Sequence, residues 1–118
     1  MKKNLLFTLG LFLIILTSCE YKYIDPIEVE LTDISFSSQI EPVFQKKCVG
    51  CHATQRPVLT TGDAYDNLID GNFVNTDAPE SSRLYEKVSG GHYGGDNTLS
   101  PTEQAILLIW IQEGAVNN

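Results

Sequence analysis

Apolar residues are spaced along this chain in three regimes. From Leu5 to Leu16 they run almost without interruption behind the cationic start Met1-Lys2-Lys3. Ile27, Val29 and Leu31 then alternate with Glu28, Glu30 and Thr32, a period of two that predicts a short extended segment. Beyond Phe36 the apolar positions recur every three to four residues, which is the helical period.

Four helices follow from that last regime. The first opens at Ser38, because Ser38-Gln39-Ile40-Glu41 has the capping-box form and Pro42 falls where a missing N–H costs least. Ile40, Val43, Phe44 and Lys47 then form one stripe, Phe44 being its main core anchor, and the helix runs into Cys48. A second covers Asp63 to Asp70, with Tyr65, Leu68 and Ile69 as its apolar residues and Gly71 as its stop. Its Asp63, Asp66 and Asp70 share a face; no Gly-containing loop or separated ligand accompanies them, so they predict a solvated surface rather than a metal site. The third runs from Ser81 to Val88 with Leu84, Tyr85 and Val88 inward, and Arg83 free for a surface ion pair. The last has the fullest set of signals: Ser100 as cap, Pro101 in the first turn, Glu103 closing a capping box, an apolar run through Ala105, Ile106, Ile109 and Trp110, and Gly114 as stop. Leu107, Leu108 and Ile111 widen its apolar surface, and Trp110 is expected in the core against Phe44.

The first regime is an address rather than a fold element. A basic start, a short apolar core and the sequence Leu16-Thr17-Ser18-Cys19 have the form of an export signal, and resemble the bacterial lipoprotein signal, whose cysteine is lipidated after cleavage. The stretch from Asn4 to Ser18 is short of the ~20 residues that a spanning helix needs. Residues 1–18 are therefore expected to leave, with residues 19–35 a lipidated tether on Cys19 and residues 36–118 the folded domain. Stretched out, the tether would reach about 50 Å. The mature protein would sit in the bacterial cell envelope, lipid-anchored and facing the periplasm or the exterior.

Charge changes the picture of partners. The chain of 118 residues carries 15 acidic and 8 basic side chains, a net charge of −7. Loss of Lys2 and Lys3 leaves six basic residues and a formal −9. Such a surface argues against nucleic acid and against electrostatic adhesion to anionic lipid, and suits a redox partner that is basic at its docking face.

The chemistry is concentrated in Cys48-Val49-Gly50-Cys51-His52. Two cysteines two residues apart, with histidine directly after, form the attachment pattern of c-type haem: one helical turn lines up both sulfurs for porphyrin vinyl groups while the imidazole reaches iron. A thioredoxin-like dithiol would want a strand before it and a βαβ context, and neither is visible. Zinc held by Cys48, Cys51, His52 and His92 would need the adjacent Cys51 and His52 to reach one tetrahedral centre, which strains the chain. With Cys19 assigned to lipid, no thiol is left for a structural disulfide, and covalent haem would itself supply apolar core to a small exported domain.

Taken together, the capped first helix, the Cys48-to-His52 pentapeptide, the Leu84-Tyr85 helix and the segment from Leu99-Ser100 through Trp110-Ile111 to Asn118 resemble the small monohaem cytochrome c (class I) domain, in particular its lipoprotein-borne versions. The resemblance covers roughly Phe36 to Asn118. It implies an all-α fold whose N- and C-terminal helices cross around one covalent haem c, with Trp110 near the haem edge, Arg83 within reach of a propionate, and electron transfer as the task. It also implies that a proline carbonyl after the motif, here that of Pro57, accepts the other N–H of the His52 ring.

One departure bears on the iron. The family usually supplies methionine as the sixth ligand, shortly before the Leu-Ser that opens the last helix, whereas the only methionine here is Met1. The corresponding loop is Ser89-Gly90-Gly91-His92-Tyr93-Gly94-Gly95. Three distal states stay open: His92 bound to iron, Tyr93 in its place, or a vacant site that admits a small gas. Bis-histidine ligation would give a lower potential than His/Met. The leading expectation is a membrane-tethered one-electron carrier with no enzyme chemistry, since no acid–base pair or nucleophile is visible. The alternatives are a haem sensor or gas-binding module, and a redox-inert structural lipoprotein.

Overall fold

The computed structural model describes residues 31–92 and 99–118. The expected signal, Cys19, most of the tether and Tyr93 lie outside them. The described residues form helices and no strands, which agrees with an all-α chain. A π-helical turn, Phe36–Ile40, leads into α1, Glu41–Lys47; α2 is Val49–His52, α3 Ala64–Asp70, α4 Arg83–Ser89 and α5 Pro101–Gln112, with a 3₁₀ turn, Pro79–Ser81, ahead of α4. No helix among these residues is long and apolar enough to cross a membrane.

The first helical segment starts earlier than its capping signal predicted. Ser35, not Ser38, is the cap: its Oγ accepts from the Ser38 N–H at 3.3 Å. The Glu41 carboxylate accepts from the Gly62 N–H at 2.9 Å instead of closing a box with Ser38. Helix from Phe36 onward places Pro42 in an interior position, where its ring would strike the carbonyl four residues back. The chain widens there, so the Glu41 N–H reaches the Phe36 carbonyl five residues back. Early entry buries Phe36 at 3% exposure beside Ile40 and Phe44.

The last helix forms as its sequence predicts. Ser100 Oγ accepts from the Glu103 N–H and the Glu103 carboxylate accepts from the Ser100 N–H, at 3.3 and 2.7 Å. Leu107, Trp110 and Ile111 are its buried face, and Gly114 takes the left-handed conformation (φ +98°) that ends it. Trp110 corrects one expectation: its aromatic neighbours are Phe36 at 5.2 Å and Tyr65 at 6.4 Å, and its ring N–H donates to the Val116 carbonyl. Phe36 in turn meets Phe44 at 6.3 Å, so it stands in the aromatic chain between the indole and α1.

One observation and one further correction concern surfaces. On α3, Ala64 and Leu68 are fully buried, but Ile69, about 100° further round the helix, is 37% exposed. Arg83 makes no ion pair among the described residues; its guanidinium lies over the Phe73 ring, 4.6 Å from the centroid.

The packed unit takes in residues assigned to the tether. Ile34 is buried and Leu31 packs against the core. The Glu113 carboxylate accepts from the N–H groups of Asp33 and Ile34 at 2.8 and 2.9 Å, and Asn118 accepts from the N–H groups of Phe36 and Ser37. The chain therefore enters the domain beside the C-terminal end of α5. The opposite end of α5 meets α1 through the Lys47–Glu103 ion pair.

Candidate functional site

Cys48 marks the break between α1 and α2. Its N–H still bonds the Phe44 carbonyl at 2.8 Å, while its own carbonyl accepts from the N–H groups of Cys51 and His52 at 3.1 and 2.9 Å. The motif is thus one closed helical turn, which puts both thiols and the imidazole on the same cleft. Both cysteines are free; Cys48 is half-buried and Cys51 exposed. Burial pushes the Cys48 thiol above its ordinary pKa, with the Lys47 charge opposing, so Cys48 is held as a neutral thiol.

The His52 ring is fixed from behind. Its Nδ1–H donates to the Pro57 carbonyl at 2.9 Å, and its backbone carbonyl accepts from the Leu59 N–H at 2.8 Å. Gln45 on α1 donates from Nε2 to the Leu59 carbonyl at 2.8 Å, which ties the same loop to the helix before the motif. With Nδ1 occupied, Nε2 is the nitrogen left for a metal. The placement of Pro57 agrees with what the sequence resemblance implied.

His92 comes to the same cleft from the far end of α4. Its ring faces that of His52 at a centroid distance of 5.8 Å with 26° between planes. Among the described residues no three Cys, His, Asp or Glu side chains converge on one point, so the zinc arrangement of Cys48, Cys51, His52 and His92 is not formed.

The cleft has a volume of about 410 Å³, within the range of cofactor sites. Phe44, Leu59, Phe73, Leu84 and Val88 give it apolar walls. Leu59 and Phe73 went unrecognised in the sequence because neither belongs to a periodic stripe; the short distance from the motif to Leu59 is the one local hint. Lys47, Arg83 and Lys87 stand at its edge, the last two one helical turn apart on α4. No protein-family model, curated protein or solved structure matches this chain.

The residues present fit a flat, largely apolar macrocycle with a central metal. The two thiols, an imidazole fixed through Nδ1, a second imidazole and several apolar side chains all line one cleft.

Proposed function

We propose that this chain is a monohaem c-type cytochrome of the class I kind, acting as a one-electron carrier outside the cytoplasm and held to a membrane through lipid on Cys19. The observation that carries the reading is the Pro57 carbonyl on His52 Nδ1, which commits Nε2 to a cleft that Cys48 and Cys51 also line. Bound haem would supply a ferric/ferrous couple. Cys48 and Cys51 hold it by thioethers, His52 is the proximal ligand and Pro57 fixes that ring's orientation. Phe44, Leu59, Phe73 and Leu84 exclude water from its faces, which lowers the local dielectric and so tunes the potential.

His92 lines the same cleft as His52, with 5.8 Å between the ring centres, which supports it as the sixth ligand in this reading rather than an open gas-binding site. Two imidazole ligands would leave such an iron no open position for a substrate, which supports the carrier reading. Expression of the full chain in a host with haem-attachment machinery tests it. A Soret band, a mass increase that survives denaturation and a low-spin ferric paramagnetic resonance signal are expected. A colourless product, or full haem retention on a denaturing gel by the Cys48→Ser/Cys51→Ser double variant, would overturn the reading. High-spin bands that shift with carbon monoxide would replace the carrier by the sensor.

A further inference from the structure

Glu41 and Gln45 lie four residues apart on α1, which puts them side by side on one face of the helix. Both reach the segment that follows the Cys48-to-His52 turn. The Glu41 carboxylate accepts from the Gly62 N–H at 2.9 Å, and Gln45 Nε2 donates to the Leu59 carbonyl at 2.8 Å. One side chain is an acceptor, the other a donor, and each meets a backbone group of the opposite kind.

Leu59 is the junction. Its N–H donates to the His52 carbonyl at 2.8 Å, its own carbonyl takes the Gln45 amide, and its side chain is buried. Residues 53–56, by contrast, are all exposed. The Pro57 carbonyl, 2.9 Å from His52 Nδ1, lies two residues before this junction. A bond between the ring and its own loop cannot by itself fix the ring, because the two could turn together. Gln45 supplies the outside reference: it ties the loop to the helix that ends at Cys48. Without its donor, the Leu59 carbonyl loses the partner of a part-buried bond, and the loop is free to drift.

We infer that Gln45 is a positioning residue for the proximal imidazole: through Leu59 it keeps the Pro57 carbonyl on His52 Nδ1, and so sets how strongly Nε2 donates to a metal. This rests on the cytochrome reading above. A firmly held acceptor on Nδ1–H makes the imidazole more basic, which favours the ferric state over the ferrous. Loosening that acceptor therefore moves the couple toward the ferrous side.

Variants of the haem-loaded full chain test this by proton magnetic resonance and redox titration. Gln45→Leu removes the donor and adds no charge. In the reduced protein its His52 Nδ1–H should exchange with solvent roughly three- to tenfold faster than in wild type, the factor that loss of one ordinary hydrogen bond allows. Its ferric/ferrous equilibrium should shift roughly threefold toward the ferrous side, about 30 mV upward at about 59 mV per tenfold for one electron. Gln45→Lys again offers a donor to the Leu59 carbonyl and should restore slow exchange. Gln45→Glu keeps the side-chain length but turns the donor into an acceptor, so its exchange should be fast. Thr60→Val is the comparison: it removes the 2.8 Å bond from the Thr60 hydroxyl to Asp63 in the same segment, and should leave exchange and potential near wild type. Wild-type exchange in Gln45→Leu or Gln45→Glu, fast exchange in Gln45→Lys, or equal effects from Thr60→Val would overturn the inference. A wild-type product with no Soret band would instead strike the cytochrome reading, so the two failures are distinguishable.

Discussion

Glu103 joins two parts of the fold through one oxygen. Its Oε2 accepts from Lys47 Nζ, on the helix that ends at Cys48, and from the Ser100 N–H that opens α5. The two side chains of the ion pair keep only 23% and 22% of their surface exposed. A fully exposed pair contributes about 0–1 kcal/mol, and removing one partner of a fully buried pair costs about 3–5 kcal/mol. Partial burial, with water still able to reach Lys47, places Glu103→Gln at about 1–2 kcal/mol. In a domain of this size each kcal/mol moves Tm by about 4–8 °C, so the variant should melt roughly 5–15 °C lower.

The pH dependence carries the sharper test. Burial alone would raise the Glu103 pKa, but the hydrogen bonds from Lys47 and Ser100 outweigh it and hold the carboxyl below its ordinary value. Because the folded-state pKa is the lower one, the stabilisation is complete above the unfolded carboxyl pKa of about 4.3. It is lost as pH falls through the folded-state value. Urea denaturation followed by far-UV circular dichroism should therefore show wild type converging on Glu103→Gln as pH is taken from about 6 to about 3. A cycle with Lys47→Met should give a coupling of about 1 kcal/mol. Parallel pH curves, or additivity within about 0.3 kcal/mol, would show that the pair contributes nothing.

The haem-loaded His92→Ala variant should change from low-spin to high-spin absorption and gain a carbon monoxide complex; an unchanged spectrum would move the sixth ligand to Tyr93. Leu68→Ala empties a fully buried position on α3 and should cost about 3 kcal/mol in urea denaturation, a loss under 1 kcal/mol being inconsistent with the packing described. Gly71→Ala would set a methyl 2.4 Å from the Phe73 ring and 2.6 Å from the Asn67 carbonyl. It should lower stability by about 1–3 kcal/mol and shift the absorption of the loaded protein, because Phe73 walls the cleft; a neutral change would mean that Phe73 moves freely.

Where the deciding contacts are local, they were legible along the chain. The Ser100/Glu103 box, the Gly114 stop and the Cys48-to-His52 turn each involve residues within five positions, and all formed as expected. Even the Pro57 carbonyl reaches back only five residues to His52. Errors arose where a local signal competed with a distant one. Ser38 and Glu41 have the spacing of a cap, yet burial of Phe36 drew the helix forward and Gly62 took the carboxylate. Apolar character alone did not say which residues of α3 would be covered: Ala64 and Leu68 are, and Ile69 stays exposed.

Amino-acid order alone established the helical class, the capped final helix and the pentapeptide that carries the candidate chemistry, since backbone hydrogen bonds and side-chain spacing act over one or two turns. Folding in three dimensions decided what stands opposite what. His92 comes to face His52 across forty positions of chain, Glu113 comes to hold Asp33 and Ile34, and Arg83 and Lys87 come to the mouth of the cleft. No local period encodes such pairings, because they follow from how the apolar faces of separate helices are buried together.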